Sequence, residues 1–225
     1  MGTASMWHEG VEGDIGASSP ISFAASPHRR LTTSSKISGG GVAAAQAAAV
    51  AASLGEMVAH LIERRAQRQD SGRAALDALQ ELKALSERLI EAAEEDAASF
   101  ARVLAARRMA HTTLEEERGR ANALEAALKG AASVPLEVAG VAVQVAELIE
   151  MLAELSEPAW LSDSACGAQL ALSAVVAARY NVLVNTQELD DEEFAAEQRS
   201  RADDLWERAR EIAARVEALL LDSIA

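Results

Sequence analysis

Asp96 is the first residue whose position suggests chemistry. It belongs to a stripe of Leu82, Leu85, Leu89, Ala93, Asp96, Phe100 and Val103, which recur at three- and four-residue steps. A carboxylate on an apolar helical face is drawn out of water, and its pKa rises unless it is partnered. Such a group is either a structural ion-pairing residue at the edge of the stripe or a carboxyl that moves protons in a cleft. Asn181 and Asn185 stand one helical turn apart around the run Val182-Leu183-Val184. Amides at that spacing point the same way. They either bond to neighbouring helices or hold a polar heterocycle.

Ser162 and Asp163 stand where a helix is expected to open. Capping is their plain role, and a helix N-terminus also favours an anion or a developing negative charge. Gly39-Gly40-Gly41 gives a loop-to-helix entry, or a close approach of backbone to a ligand. It is not a phosphate-binding loop, because no Lys-Ser/Thr pair follows the glycines. Arg64, Arg65 and Arg68 cluster where a helix ends, either to satisfy its last carbonyls or to receive an anionic group. Arg179 is a further cation of the same kind. Cys166 beside Gly167 has no histidine nearby and reads as a small packing residue.

The elements that must position these groups are helices. Half of the 225 residues are apolar, but only 3% are aromatic, so the core must be built from Ala, Leu and Val. Four prolines leave room for long helices, and Ala, Leu, Glu and Arg favour them. Residues 1–36 are rich in Ser, Gly and Pro and read as an irregular N-terminal extension; residues 37–225 form one helical domain. A first helix is expected over Val42–Arg68, closed by the turn signal Gln69-Asp70-Ser71-Gly72. A second covers Arg73–Arg108, about 50 Å long at 1.5 Å per residue. Thr113 and Glu116 form a capping box for a third that reaches Leu155, with a kink or break at Pro135. Ser162 caps a fourth that runs to Glu188. Asp190 and Glu193 open a fifth, whose Leu205, Ala209, Ile212, Val216 and Leu219 make a coiled-coil-like seam. The sum is an all-α antiparallel bundle of about five long helices.

The net charge of −14 opposes binding to nucleic acid and to an acidic membrane surface. The Val42–Ile62 stretch is Ala-rich and contains Gln46 and Glu56, so it reads as a core helix and not a membrane span. Glu9, Glu12 and Asp14 with no continuous apolar run read against a cleavable leader. A single cysteine excludes an intrachain disulfide and fits a cytoplasmic setting. His8, His28, His60 and His111 lack ligand spacing, so no metal is expected.

Five segments in order give a more specific reading. They are Gly39-Gly40-Gly41-Val42-Ala43-Ala44 with Met57-Val58-Ala59, Asp96-Ala97-Ala98-Ser99-Phe100, Val134-Pro135-Leu136-Glu137-Val138-Ala139, Leu161-Ser162-Asp163, and Asn181 through Asn185. Together, over about residues 38–220, the chain resembles the cyclodeaminase/cyclohydrolase family of folate enzymes. The resemblance implies a helical bundle, commonly a homodimer, acting on a tetrahydrofolate derivative without a metal or redox cofactor. One family reaction opens the methenyl bridge with water to give formyltetrahydrofolate. The other cyclises a formimino group and releases ammonia. Both pass through a tetrahedral carbon flanked by nitrogens and call for a proton shuttle in a dipole-lined pocket. By match, Asp96 and Asp163 are the catalytic candidates. Gly39, Gly40, Gly41, Ser162, Asn181, Asn185, Arg64 and Arg65 are the candidates for holding substrate. The arginines would supply a local basic patch for the anionic glutamate tail. The chain departs from the family pattern at Ser38 and Val42, which flank the glycines, and at Glu63-Arg64-Arg65-Ala66-Gln67. The alternative reading is a non-catalytic ligand-binding or dimerising helical module.

Overall fold

The computed structural model describes residues 39–66 and 70–225. The N-terminal extension at 1–36 and Arg68 lie outside the described residues. Among the described residues there are five long helices: α1 (Gly40–Ala66), α2 (Asp70–Arg107), α3 (Leu114–Leu155), α4 (Leu161–Asn185) and α5 (Glu192–Ile224). A single 3-10 turn at Pro158–Trp160 precedes α4. Among the described residues there is no strand.

Helices α1 to α4 form an antiparallel bundle. Helix α1 packs on α2 and α4, α3 packs on the same two, and α1 meets α3 across the middle. The pairing of Gly41 with Asp96 and of Gly55 with Leu82 fixes α1 antiparallel to α2. Helix α5 lies over the groove between α3 and α4. It runs parallel to α3, along which Lys129–Asp191, Glu147–Arg208 and Glu150–Arg215 form ion pairs. These pairs are largely exposed and set register more than stability.

The core is mostly alanine, as the low aromatic content requires. Small side chains bring helix axes close, and two glycines bring them closer. A Cβ on Gly55 would stand 3.0 Å from Leu82 Cδ1, and one on Gly167 would stand 2.9 Å from Ile149 Cδ1. The seam on the last helix is as expected, with Ala209, Ile212 and Val216 buried and Leu205 and Leu219 half-buried. Two helices, Gly40–Ala66 and Pro158–Asn185, are long and apolar enough to cross a membrane by length and composition. Both are packed side by side in the bundle, and about half of the apolar window of each is buried.

Several boundaries differ from expectation for local reasons. Asp70, Ser71 and Gly72 are helical and not a turn, with Gly72 lying against Ala66. The Thr113–Glu116 capping box is present. Helix α4 opens at Leu161, out of the 3-10 turn, so Ser162 is not its cap. The cap of α5 is Asp191, one residue later than expected, with its carboxylate accepting from the Phe194 N–H at 3.0 Å. Glu125 fixes this shift by accepting from the N–H groups of Asp190 and Asp191.

Pro135 neither breaks α3 nor ends it; the helix continues from Leu114 to Leu155. Proline removes the donor that would serve the carbonyl four residues earlier, which belongs to Ala131. Asn185 Nδ2 donates to that carbonyl at 2.7 Å. The amide from α4 therefore replaces the missing backbone bond.

Candidate functional site

At the N-terminus of α1, the Gly39 carbonyl accepts from the Ala43 N–H at 3.2 Å, which makes Gly39 the cap residue. It has no side chain to serve the next free N–H groups of the first turn. Two side chains from other helices occupy that space. Asp96 comes from α2 and faces the backbone N–H of Val42. Asn181 comes from α4 and lies against Gly40. Each is admitted by one glycine. An ideal Cβ on Gly41 would overlap all three carboxyl atoms of Asp96, with Oδ2 at 2.5 Å, and one on Gly40 would stand 2.9 Å from Asn181 Nδ2. Gly40 and Gly41 therefore make room for protein side chains.

Burial raises the pKa of Asp96 above the ordinary aspartate value, and the Val42 N–H pulls it part of the way back. Desolvation is the larger influence and favours the neutral form, while the Val42 N–H favours the anion. Asn181 Nδ2 donates to Ala177 O, one turn back in its own helix, at 2.8 Å. Its Oδ1 makes no hydrogen bond among the described residues.

Sequence reading missed the surroundings. Phe100 was expected on the apolar stripe, yet it is exposed one turn beyond Asp96. Tyr180 and Val184, on either side of Asn181, are exposed as well. These apolar surfaces stand at the same end of the bundle as the polar pair. The four-residue spacing of Phe100 from Asp96 was visible in the sequence, but the end of α1 that leaves it uncovered was not.

The other candidate residues lie elsewhere in the chain. Asn185 shares the end of the bundle but is committed to the Ala131 carbonyl. Asp163 lies 18 residues before Asn181 on one helix, about 27 Å away at 1.5 Å per residue. Ser162 accompanies it. Arg64 and Arg65 stand at the opposite end of α1 from the glycines, roughly 35 Å away by the same rise. Arg65 pairs there with Glu157 at 2.9 Å. Arg179 pairs with Asp203 at 2.5 Å and lies over the Trp206 ring. Within one chain the structure therefore joins Gly40, Gly41, Asp96 and Asn181, and leaves Ser162, Asp163, Arg64 and Arg65 at the far end. Cys166 is exposed and does not pack; Gly167 beside it does. Among the described residues, no three His, Cys, Asp or Glu side chains gather as a metal site.

A profile of the formiminotransferase-cyclodeaminase family matches residues 28–204. The chain belongs to this family. The formimidoyltransferase-cyclodeaminase of Rattus norvegicus is 31% identical over 188 residues, covering 84% of this chain and 35% of the rat protein. The chain thus spans about a third of that relative. The methenyltetrahydrofolate cyclohydrolase of Methylorubrum extorquens is 30% identical over 167 residues, covering 74% of this chain and 80% of the bacterial one. The crystal structure of formiminotetrahydrofolate cyclodeaminase from Thermotoga maritima superposes with a TM-score of 0.78 at 25% identity, covering 88% of this chain and 95% of that one. The family membership and the helical bundle expected from the sequence both stand.

Proposed function

We propose that this chain is a folate one-carbon enzyme. Its leading reaction is hydrolysis of 5,10-methenyltetrahydrofolate to 10-formyltetrahydrofolate. Cyclisation of 5-formiminotetrahydrofolate with release of ammonia is the second reaction of the same site. The relatives named for these two activities support the substrate class. The observation that carries the reading is the seating of Asp96 and Asn181 on the first turn of α1. In hydrolysis, ionised Asp96 takes a proton from the attacking water as its oxygen bonds to the methenyl carbon. The protonated carboxyl then returns a proton to N5 as the C–N5 bond breaks and its electron pair stays on nitrogen, and the hydroxyl on the carbon gives its proton to solvent as it becomes the formyl carbonyl. The free Asn181 oxygen and the α1 amides orient the polar heterocycle, and Phe100 and Tyr180 offer it apolar contact. No metal or redox cofactor is required for these steps.

The same reading includes a cytoplasmic homodimer. The outer faces of α1 and α4 expose Val50, Met57 and Tyr180. They carry almost no charge, since Glu56 is the only Asp, Glu, Lys or Arg in α1 before Glu63, and α4 has none between Asp163 and Arg179. In a chain of charge −14, an uncharged face suits a second copy of itself. Sedimentation velocity is expected to give a dimer of the 23.7 kDa chain, and Val50→Arg a monomer; a wild-type monomer would refute the arrangement.

The activity test follows the absorbance of methenyltetrahydrofolate at several protein concentrations. Loss that scales with protein above the uncatalysed rate is the expected result. No acceleration of either reaction, with folate still bound, would select the non-catalytic binding module instead.

A further inference from the structure

We propose that Gly41 is the positioning residue for Asp96: its missing side chain seats the carboxyl group on the first turn of α1, and so fixes where that group exchanges its proton with the substrate. The inference rests on the reading of Asp96 as the proton carrier.

Helix α1 begins without a side-chain cap of its own. A helix usually begins with Ser, Thr, Asp or Asn, whose side chain serves the N–H of the second or third helical residue. Here the cap residue is Gly39, which cannot do so. Val42 is the third helical residue, and the carboxyl group that comes near enough to its N–H to feel it belongs to Asp96, on a different helix. A carboxylate reaching in from α2 must cross the space beside residue 41. That space is open only because residue 41 has no Cβ, which would otherwise overlap Oδ1, Cγ and Oδ2 together.

This glycine differs in kind from Gly55 and Gly167. At those positions a Cβ would meet hydrocarbon of Leu82 or Ile149. At Gly41 it would meet a titratable group and nothing else within the three nearest atoms. The atoms that would have to move are the end of a short side chain, so the backbone can stay in place. Gly41 thus sets two opposing influences on Asp96 at once. Its bare Cα lets the carboxyl sink away from water, and the same approach brings the anion to the Val42 N–H and the positive end of α1. A group held between these influences can carry a proton without leaving its seat.

The test is Gly41→Ala in the full chain, with Gly55→Ala as a packing control and Asp96→Asn as a check on the underlying reading. In Gly41→Ala, kcat is expected to fall on the order of 10²-fold, the effect of displacing a reacting group by about 1 Å. KM should change much less. The acidic limb of the kcat–pH profile should move to lower pH, because the expelled carboxyl returns towards water. Gly55→Ala should alter melting and leave the acidic limb in place. Wild-type kcat and an unmoved limb in Gly41→Ala, with Asp96→Asn inactive, would overturn the proposal and leave Asp96 as the carrier. Wild-type turnover in Asp96→Asn would instead remove the carrier itself, and the proposal with it. If Gly41→Ala does not fold, Gly41→Ala/Asp96→Ala decides the matter. Folding restored by removal of the carboxyl supports the contact, and folding still lost refutes it.

Discussion

Replacement of Asp96 by asparagine is expected to lower turnover by roughly 10²- to 10⁴-fold, the usual worth of a positioned general acid–base group. The protein should melt no lower than the wild type at neutral pH. Asparagine keeps the shape of the side chain, and its oxygen can still accept from the Val42 N–H. It loses the proton that the reaction moves. The stability side follows from the sign of the pKa shift. Burial raises the Asp96 pKa on folding, so the folded state binds more protons than the unfolded state between the ordinary and the raised values. Stability therefore falls as pH rises through that window, and the loss persists above it. Asparagine does not carry this penalty. Melting curves of the two proteins should converge at acid pH, below the ordinary aspartate value, and diverge above it in favour of Asp96→Asn. A purely structural carboxylate cap predicts the reverse: unchanged turnover and a lower melting temperature at neutral pH. The pair of measurements separates the two roles without knowledge of the substrate pose.

The part of the site that was legible in the sequence is the part that violates a helical pattern. Asp96 interrupts an apolar stripe, Asn181 interrupts an apolar run, and two successive glycines open an Ala-rich helix where Ala would be favoured. Each departure costs stability locally, so each signals a tertiary reason. Spacing within a helix gives the face on which a residue lies. It does not give which end of one antiparallel helix meets which end of another. Ser162, Asp163, Arg64 and Arg65 therefore looked equivalent to Asp96 in chain order, although they lie at the far end of the bundle from it. The same limit hid the exposure of Phe100, since its stripe is apolar on both sides of the point where α1 begins. The helices themselves were readable because their lengths and composition leave few alternatives. Their ends moved where a neighbouring helix supplied the cap, as Glu125 does for the start of α5.

Asn185 and Pro135 should behave as one unit, and a double-mutant cycle is expected to show it. In the wild-type background, Asn185→Ala should cost about 1–3 kcal/mol, the penalty for leaving a buried carbonyl unserved. In a Pro135→Ala background the same change should cost almost nothing. Alanine at 135 restores an N–H to the helix ladder, and the Ala131 carbonyl then has its own partner. Pro135→Ala alone should be stabilising, because proline inside a helix costs about 3 kcal/mol and only part of that is offset by the amide from α4. The coupling energy is read from chemical denaturation of the four proteins, and residues in direct contact commonly give values of about 0.5–3 kcal/mol. A substrate-holding amide makes a different prediction. Its loss would appear in KM, would be the same with or without Pro135, and would leave denaturation unchanged. The geometry favours the structural role, since Nδ2 of Asn185 already donates at 2.7 Å to the one carbonyl in α3 that proline leaves without a backbone donor. Of the two asparagines one turn apart, this leaves Asn181 as the amide with an oxygen free for a ligand. The apolar stretch between them holds α4 against α3 and α5 through the buried Val182. The Pro135–Asn185 contact would then fix the end of α4 on which Asn181 is presented to the first turn of α1.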